Sequence, residues 1–562
     1  MDFDVDKIIW IVAAAAWLIG KVAKLLRRGQ AEPSPTPAPS SDDQPYDFGR
    51  DADGADGADG ADEASDYEDG PAEVPQSAPA LVAEAQSLVA RASNLATSIR
   101  RERATRRFVP VLTEWLPAQA RGALDYERVA SMRLVVEEVE ELVRQRRDPE
   151  LLPELGDADA LAEACYRPVI EFARAEGLPL SSAEPVSQLS GFDLAIWTGF
   201  APTSLAPLFL PPDFFQRAAW WPAIGHEIGH DFLVSLRGID GALRAELRLP
   251  SEESGTRPIA FDGGGLSPWE LRRVFGGWFE ELFCDVFGTL MCGGAYVATM
   301  SQLFAARSDA REVLVVGVDE TGRRYDPHPP RHLRHRVGCM VLDAAGFGAE
   351  ARALDGAWAK RHTADGRVPD RYLFPVAQGY LAVPAESVEE IARELVERLY
   401  LGPITALSGF GLRDVSGLDY GPHLHEETVR ARDALLAGRA LNVRDPRAIV
   451  AGAVHAALLR PEAEPMILAR ARAAIPGVGT RERVADAYAP DVAVLMRAPT
   501  PVNVNVVVGG ASLPRMPGPR MPGPRSAAGR SAAGRIAITQ EELVDAMVLR
   551  ELLARPRPSW PC

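Results

Sequence analysis

The segment WPAIGHEIGH, residues 221–230, places two histidines and a glutamate where they could bind and use a metal ion. On a helix, His226 and His230 lie four residues apart on one face and can reach a single ion, while Glu227 is directed at a water molecule on that ion. The flanking residues are apolar, and buried His and Glu without partners would be costly there. The motif therefore predicts a metal centre on a helix.

A catalytic zinc ion takes three protein ligands and keeps a fourth position for water, so a third ligand must come from elsewhere in the chain. The capping-box sequence SPWE, residues 267–270, has proline at the first helical position and predicts a helix that ends at Cys292. Glu281 and Asp285, four apart on it, are expected to supply one ligand and one carboxylate that orients a ligand histidine. Glu280 competes for the ligand position. The residue four positions after Glu280 is a cysteine, which could not orient a ligand histidine as well as a carboxylate does, so Glu281 is favoured.

HEIGH followed by EELFCDVFG resembles the gluzincin metallopeptidases, in which ExxxD on a separate helix follows HExxH. The resemblance covers about 70 residues, and with the apolar N-terminus it points to a bacterial, membrane-anchored branch. It implies that His226, His230 and Glu281 bind one Zn²⁺ per chain. It further implies that Glu227 is the general base and Asp285 the carboxylate behind the ligands.

A basic segment, DPHPPRHLRHRVG at residues 326–338, carries further candidates. His328 or Arg334 could stabilise a developing oxyanion or bind a substrate carboxylate. A solvated basic helix after the Pro-Pro turn explains the same residues equally well. Both interpretations stay open at this point.

The predicted activity is hydrolysis of peptide bonds in a polypeptide substrate. Zinc would lower the pKa of its water towards about 7, and Glu227 would accept the proton and pass it to the leaving amine. One alternative is a metal phosphohydrolase, because His230-Asp231 is an HD dipeptide. Glu227, Glu281 and Asp285 would then have no role. The other is a membrane-tethered scaffold with a structural or inactive zinc site.

The predicted fold is mainly α with a small β component, a zincin-like metallopeptidase core inside a larger helical body. Apolar residues three and four apart predict helices through Leu81–Ala175, the third of them capped by Asp157. Short strands or loops are expected in the aromatic, Gly- and Pro-broken segment 192–210, and a strand pair at 312–325. Further helices follow the same periodic pattern at 386–400, 444–459 and 540–554.

The N-terminus predicts a membrane anchor. Residues 8–20 carry no charged side chain, and the apolar helix extends to Leu26 if two lysines are tolerated. Nineteen helical residues span about 28 Å, close to the ~30 Å hydrocarbon core. Lysines and arginines lie mainly towards and beyond the C-terminal end of this segment, and positively charged flanks stay on the cytoplasmic side. We therefore expect a single-pass helix in the inner (cytoplasmic) membrane with the body facing the cytoplasm. A helix lying in the membrane plane is the alternative.

The formal net charge of −17 disfavours a nucleic-acid partner bound through bulk charge. Much of this acidity lies in a Pro-, Ala-, Asp- and Gly-rich stretch that predicts a disordered linker. Five widely spaced cysteines fit no disulfide framework and indicate a reducing compartment. The predicted organisation is a membrane helix (1–28), an acidic linker (29–78), a helical region (79–185), the zincin-like catalytic core (186–345), a C-terminal helical region (346–500), and a low-complexity linker with a terminal helix (501–562).

Overall fold

The computed structural model describes residues 79–475, apart from short gaps, and Asn505–Val506. The predicted membrane helix, the acidic linker and the predicted helix at 540–554 lie outside these residues. Among the described helices, none combines the length and the apolar character needed to cross a membrane. The gaps are 103–104, 179, 181–183, 191–193, 199–204, 237, 261–265, 305–313, 320–321, 363–369 and 378.

The described residues are mainly helical with two small sheets, which confirms the predicted class at that level. The helices are α1 (Pro79–Ile99), α2 (Leu116–Ala120), α3 (Tyr126–Arg147), α4 (Leu151–Ala175), α5 (Ala223–Ser235), α6 (Ile239–Glu246), α7 (Glu252–Gly255), α8 (Pro268–Cys292), α9 (Gly294–Thr299), α10 (Arg331–Ala344), α11 (Gly348–His362), α12 (Ala385–Leu401), α13 (Pro422–Leu436), α14 (Pro446–Leu459) and α15 (Glu464–Ala474). The strands are β1 (Glu184–Leu189), β2 (Ala195–Thr198), β3 (Leu205–Leu210), β4 (Arg371–Val376), β5 (Gly379–Pro384) and β6 (Asn505–Val506).

Helices α1 to α4 match the predicted helical region, but the cap of the third long helix was predicted wrongly. Helix α4 begins at Leu151, so Asp157 lies inside it. The apolar pattern extends further upstream than the predicted cap, since Leu155 is fully buried. Asp157 instead accepts a hydrogen bond from Arg472 at 3.0 Å, and this contact joins α4 to α15.

The larger sheet has the strand order β1-β3-β2-β6, with β1 parallel to β3 and β2 antiparallel to it. Strands β4 and β5 form a separate antiparallel hairpin. The strand pair predicted at 312–325 is present only in part among the described residues: Val318 makes an antiparallel bridge to Tyr325, and the Asp326 amide donates to the Gly317 carbonyl at 2.9 Å. The upstream end of the segment pairs elsewhere, since Val315 makes a parallel bridge to Leu373 of β4.

Helices α5 and α8 pack closely and position the residues of the predicted metal centre. Helix α8 has the predicted limits: the Ser267 side chain accepts from the Glu270 amide, and the helix ends before Gly293 at φ 57°. Gly229 of α5 faces Cys284 of α8, where an added Cβ would lie 3.0 Å from the Cys284 Cα. A glycine at this position therefore lets the two backbones approach closely.

Candidate metal centre

His226, His230 and Glu281 bring three potential ligand atoms together, as the two motifs predict. The two Nε2 atoms lie 3.3 Å apart; that of His226 lies 3.5 Å from Glu281 Oε2, and that of His230 lies 3.5 Å from Glu281 Oε1. Ligand atoms 2.0–2.1 Å from a tetrahedral ion lie about 3.3–3.4 Å from one another, so the separation of the two nitrogens fits a shared ion, and one ligand atom from each of the three residues lies within 4.8 Å of the others. All three residues are buried. We call these three residues the first cluster.

Each histidine of the first cluster has a carboxylate beside its other ring nitrogen. His226 Nδ1 lies 3.2 Å from Asp285 Oδ1, and His230 Nδ1 lies 2.8 Å from Glu280 Oε1. Donation by both Nδ1 atoms leaves both Nε2 atoms as acceptors that face each other and the Glu281 carboxylate. Three converging acceptors favour a bound cation, and imidazole with carboxylate suits a divalent transition metal such as zinc.

Glu280 was considered in the sequence only as a competing ligand, and its orienting position was missed. It lies on the Nδ1 side of His230, whereas Glu281 lies on the Nε2 side of both histidines. Adjacent residues on a helix point about 100° apart, so two consecutive glutamates can meet opposite sides of one imidazole. The double glutamate was the signal in the sequence for this arrangement.

Glu227 is buried next to the first cluster, with 3 % of its surface exposed. Its Oε2 atom has no hydrogen-bond partner among the described residues. Burial raises the pKa of Glu227, against the opposing effect of His226 and His230. A buried carboxyl oxygen without a partner costs free energy, which is a feature typical of functional sites.

Arg334 is buried behind the ligands, so the predicted solvated basic helix does not describe this part of α10. Its guanidinium donates two hydrogen bonds of 2.8 Å to the two oxygens of Asp285, and its Nη2 lies 3.1 Å from Glu281 Oε2. Burial alone would raise the pKa of Asp285, but Arg334 and the neighbouring His226 lower it. The contacts of Arg334 described here are with the site's own carboxylates.

Tyr296 of α9 completes the hydrogen-bond network behind His226. Its hydroxyl donates to Asp285 Oδ1 at 2.6 Å and lies 3.0 Å from His226 Nδ1. Burial alone would lower the pKa of His226, but hydrogen bonds to Asp285 and Glu281 raise it to about 9. Tyr296 belongs to neither motif, so no sequence signal identified it.

His328 lies at the more exposed edge of the site, with 28 % of its side chain exposed. Its Nδ1 is 2.6 Å from Asp326 Oδ1, and its Nε2 is 3.4 Å from Glu281 Oε1. Burial opposes a higher pKa for His328, but the Glu281 charge and the Asp326 hydrogen bond raise it. Asp326 was missed as the partner of His328, although the spacing Asp-Pro-His was visible in the sequence.

Asp231, on which the phosphohydrolase alternative depends, points elsewhere. Its Oδ2 accepts a hydrogen bond from Ser235 Oγ at 3.0 Å. Among the described residues, the groups of potential metal ligands do not include it. The HD dipeptide is therefore split, with His230 at the first cluster and Asp231 outside it.

Comparison with protein-family models gave no match, and comparisons with curated proteins and with solved structures gave none either. The similarity of HEIGH and EELFCDVFG to gluzincins therefore stays a prediction from two motifs. The functional argument depends on the residues and distances described above.

Proposed function

We propose that this protein is a zinc-dependent peptidase whose ion is held by His226, His230 and Glu281. The observation that carries the proposal is the convergence of these three ligand atoms beside the buried, unpaired oxygen of Glu227. A metal ion bound there would lower the pKa of a water molecule and polarise a scissile carbonyl. The predicted anchor at residues 1–28 would hold this activity at the cytoplasmic face of a membrane.

The charges around the first cluster support a divalent cation. With both imidazoles neutral, as they must be to bind an ion, the buried carboxylates of Glu227, Glu281 and Asp285 outnumber the one adjacent guanidinium, that of Arg334. Without an ion, the raised pKa of His226 lets a proton offset part of this charge, so metal and proton compete for the site. Burying excess negative charge is costly unless a cation compensates it. A doubly charged ion fits that balance.

In the proposed reaction Glu227 accepts the proton of the water that attacks the carbonyl carbon, and then donates it to the leaving amine. Burial raises the pKa of Glu227, which makes its carboxylate a stronger proton acceptor. His328, oriented by Asp326, donates from Nε2 to the carbonyl oxygen as negative charge develops there. Asp285 and Glu280 hold the two ligand imidazoles in their binding tautomer.

The test compares the full chain with Glu227→Gln, measuring zinc content and cleavage of a fluorescently labelled, unstructured protein. We expect the variant to keep its zinc and to lose cleavage by about 10²–10⁴-fold, the usual contribution of a general base. Unchanged cleavage in Glu227→Gln would exclude Glu227 as the base.

Asp231→Asn is the matched control, because it changes a buried carboxylate on the same helix outside the first cluster. We expect this variant to retain peptidase activity. Phosphoester hydrolysis that is lost in Asp231→Asn would favour the phosphohydrolase instead. Bound zinc without turnover of either substrate would favour the scaffold.

A further inference from the structure

A second group of potential ligands lies on α10 and α11, away from the proposed catalytic residues. His335 and Cys339 are four residues apart on α10, and Asp355 of α11 faces them. The His335 Nε2 atom lies 3.5 Å from Cys339 Sγ and 3.6 Å from Asp355 Oδ1. We call these three residues the second cluster.

We propose that His335, Cys339 and Asp355 bind a second transition-metal ion, of the zinc or cobalt type, that ties α10 to α11. Around a tetrahedral ion, nitrogen and sulfur ligands lie about 3.5–3.6 Å apart and nitrogen and oxygen ligands about 3.3–3.4 Å apart. The two distances in the second cluster are close to these values. A thiolate, an imidazole and a carboxylate select such metals over magnesium or calcium.

Asp355 is held so that one of its oxygens is left for an ion. Its Oδ2 accepts a hydrogen bond from Arg336, which also pairs with Glu389. Its Oδ1 is buried and has no hydrogen-bond partner among the described residues, since 3.6 Å to His335 exceeds hydrogen-bond length. This unpaired oxygen points to the His335 Nε2 atom, where the ligand positions converge.

The His335 ring is fixed in an orientation that suits metal binding. It stacks on Trp358 with centroids 4.4 Å apart and planes at 20°. Its Nδ1 atom is buried and makes no hydrogen bond among the described residues. The stacked ring directs Nε2 towards Cys339 Sγ at 3.5 Å and Asp355 Oδ1 at 3.6 Å.

An entry route is present, because Cys339 and Asp355 line a cavity of about 320 Å³ between α10, α11 and α12. Water or a small anion from this cavity can supply a fourth ligand. Three arginines also line it, namely Arg336, Arg352 and Arg393.

The second cluster is positioned to support the first. Arg334, the neighbour of His335 on α10, pairs with Asp285 at the first cluster. An ion between α10 and α11 would restrain α10 and with it this guanidinium. The proposed site is therefore structural and distinct from the catalytic proposal.

The experiment titrates the metal-free full chain with Co²⁺. A thiolate ligand gives a charge-transfer band in the near ultraviolet, and among the two clusters only the second contains a cysteine. We expect this band in the wild-type protein, and two zinc ions per chain when zinc replaces cobalt. A wild-type protein without the band at saturating Co²⁺ would overturn the proposal.

Cys339→Ala is expected to abolish the band and to reduce the zinc content from two ions to one. Cys165→Ala, which truncates another buried cysteine outside the clusters, is the matched control and is expected to keep both. Retention of the band in Cys339→Ala, or equal loss in both variants, contradicts the assignment. Glu281→Gln separates the two proposals, because it is expected to lose only the ion of the first cluster and to keep the band.

Asp355→Asn keeps the shape of the side chain and serves if Cys339→Ala fails to give a native circular dichroism spectrum. We expect its Co²⁺ affinity, read from the charge-transfer band, to fall at least 10-fold. An unchanged affinity in a folded Asp355→Asn protein would exclude Asp355 as a ligand and refute the three-residue site.

Discussion

Two buried histidines in this protein have opposite acid–base properties. Burial alone would lower the pKa of His226, but hydrogen bonds to Asp285 and a second carboxylate raise it to about 9. Burial also acts on His332, which packs against Trp358 and Tyr372, and there the pKa falls to about 3. Both rings are buried, so the carboxylate neighbours decide the charge that each can carry.

The second cluster combines burial with a carboxylate neighbour. Burial lowers the pKa of His335, as it does for His332, although Asp355 acts in the opposite direction. Burial alone would raise the pKa of Asp355, but His335 and Arg336 lower it to about 2. The comparison shows that burial among aromatic rings keeps an imidazole neutral, and that an added carboxylate places a second potential metal ligand beside it.

The largest expected effect tests the neutral state of His332. Its pKa is about 3 in the folded protein and about 6.5 in the unfolded chain, so the unfolded chain binds more protons between these pH values. The resulting stability is fully present above pH 6.5 and is lost as the pH falls towards 3, by about 5 kcal/mol. We expect His332→Phe to lack this loss in guanidinium unfolding measured from pH 7 to pH 3.

His423→Phe, at an exposed position, is the control and is expected to keep the wild-type pH dependence. If His332→Phe also keeps the wild-type pH dependence of the unfolding free energy, the low pKa of His332 is refuted, and with it the contrast to His226.

The next effect tests the buried charges behind the first cluster. Arg334→Met leaves Asp285 and Glu281 buried without their guanidinium, and we expect the free energy of unfolding of the metal-free protein to fall by about 3–5 kcal/mol. Adding Asp285→Asn is expected to restore part of the loss, because it removes one uncompensated charge. Urea unfolding of the single and double variants measures both values.

Arg257→Met is the control for Arg334→Met. Arg257 pairs with Glu253 on the surface, where their side chains are 69 % and 68 % exposed, and we expect a change within about 1 kcal/mol. Equal effects of the two substitutions would show that burial does not strengthen the ion pair of Arg334.

The smallest expected effect concerns the orienting carboxylate of His230. We expect Glu280→Ala to weaken zinc binding at the first cluster by about 10–100-fold, and Glu280→Gln by less, because Gln still accepts a hydrogen bond. Competition with a chelating dye measures this affinity. The exposed Glu390→Ala is the control, and the cobalt–thiolate band of the second cluster is expected to stay unchanged in all three variants.

Local patterns predicted much of this arrangement. The Ser267 cap, Pro268 and the glycine after Cys292 give the limits of α8, since capping depends on residues within one helical turn. The spacing of His226 and His230 likewise predicts a shared face from helical geometry alone. The position of Asp157 was mispredicted because the apolar pattern of α4 starts upstream of it.

The sequence by itself determined the helical class, the limits of α8 and the pair of histidines on one face, because these depend on propensity, capping and periodicity within short segments. Only the tertiary structure decided that Glu281 meets the Nε2 atoms while Glu280 orients His230, that Arg334 pairs with Asp285, and that Asp355 faces Cys339. These contacts depend on how each helix is rotated about its axis and where it crosses its neighbours. That geometry is fixed by packing between residues far apart in the chain.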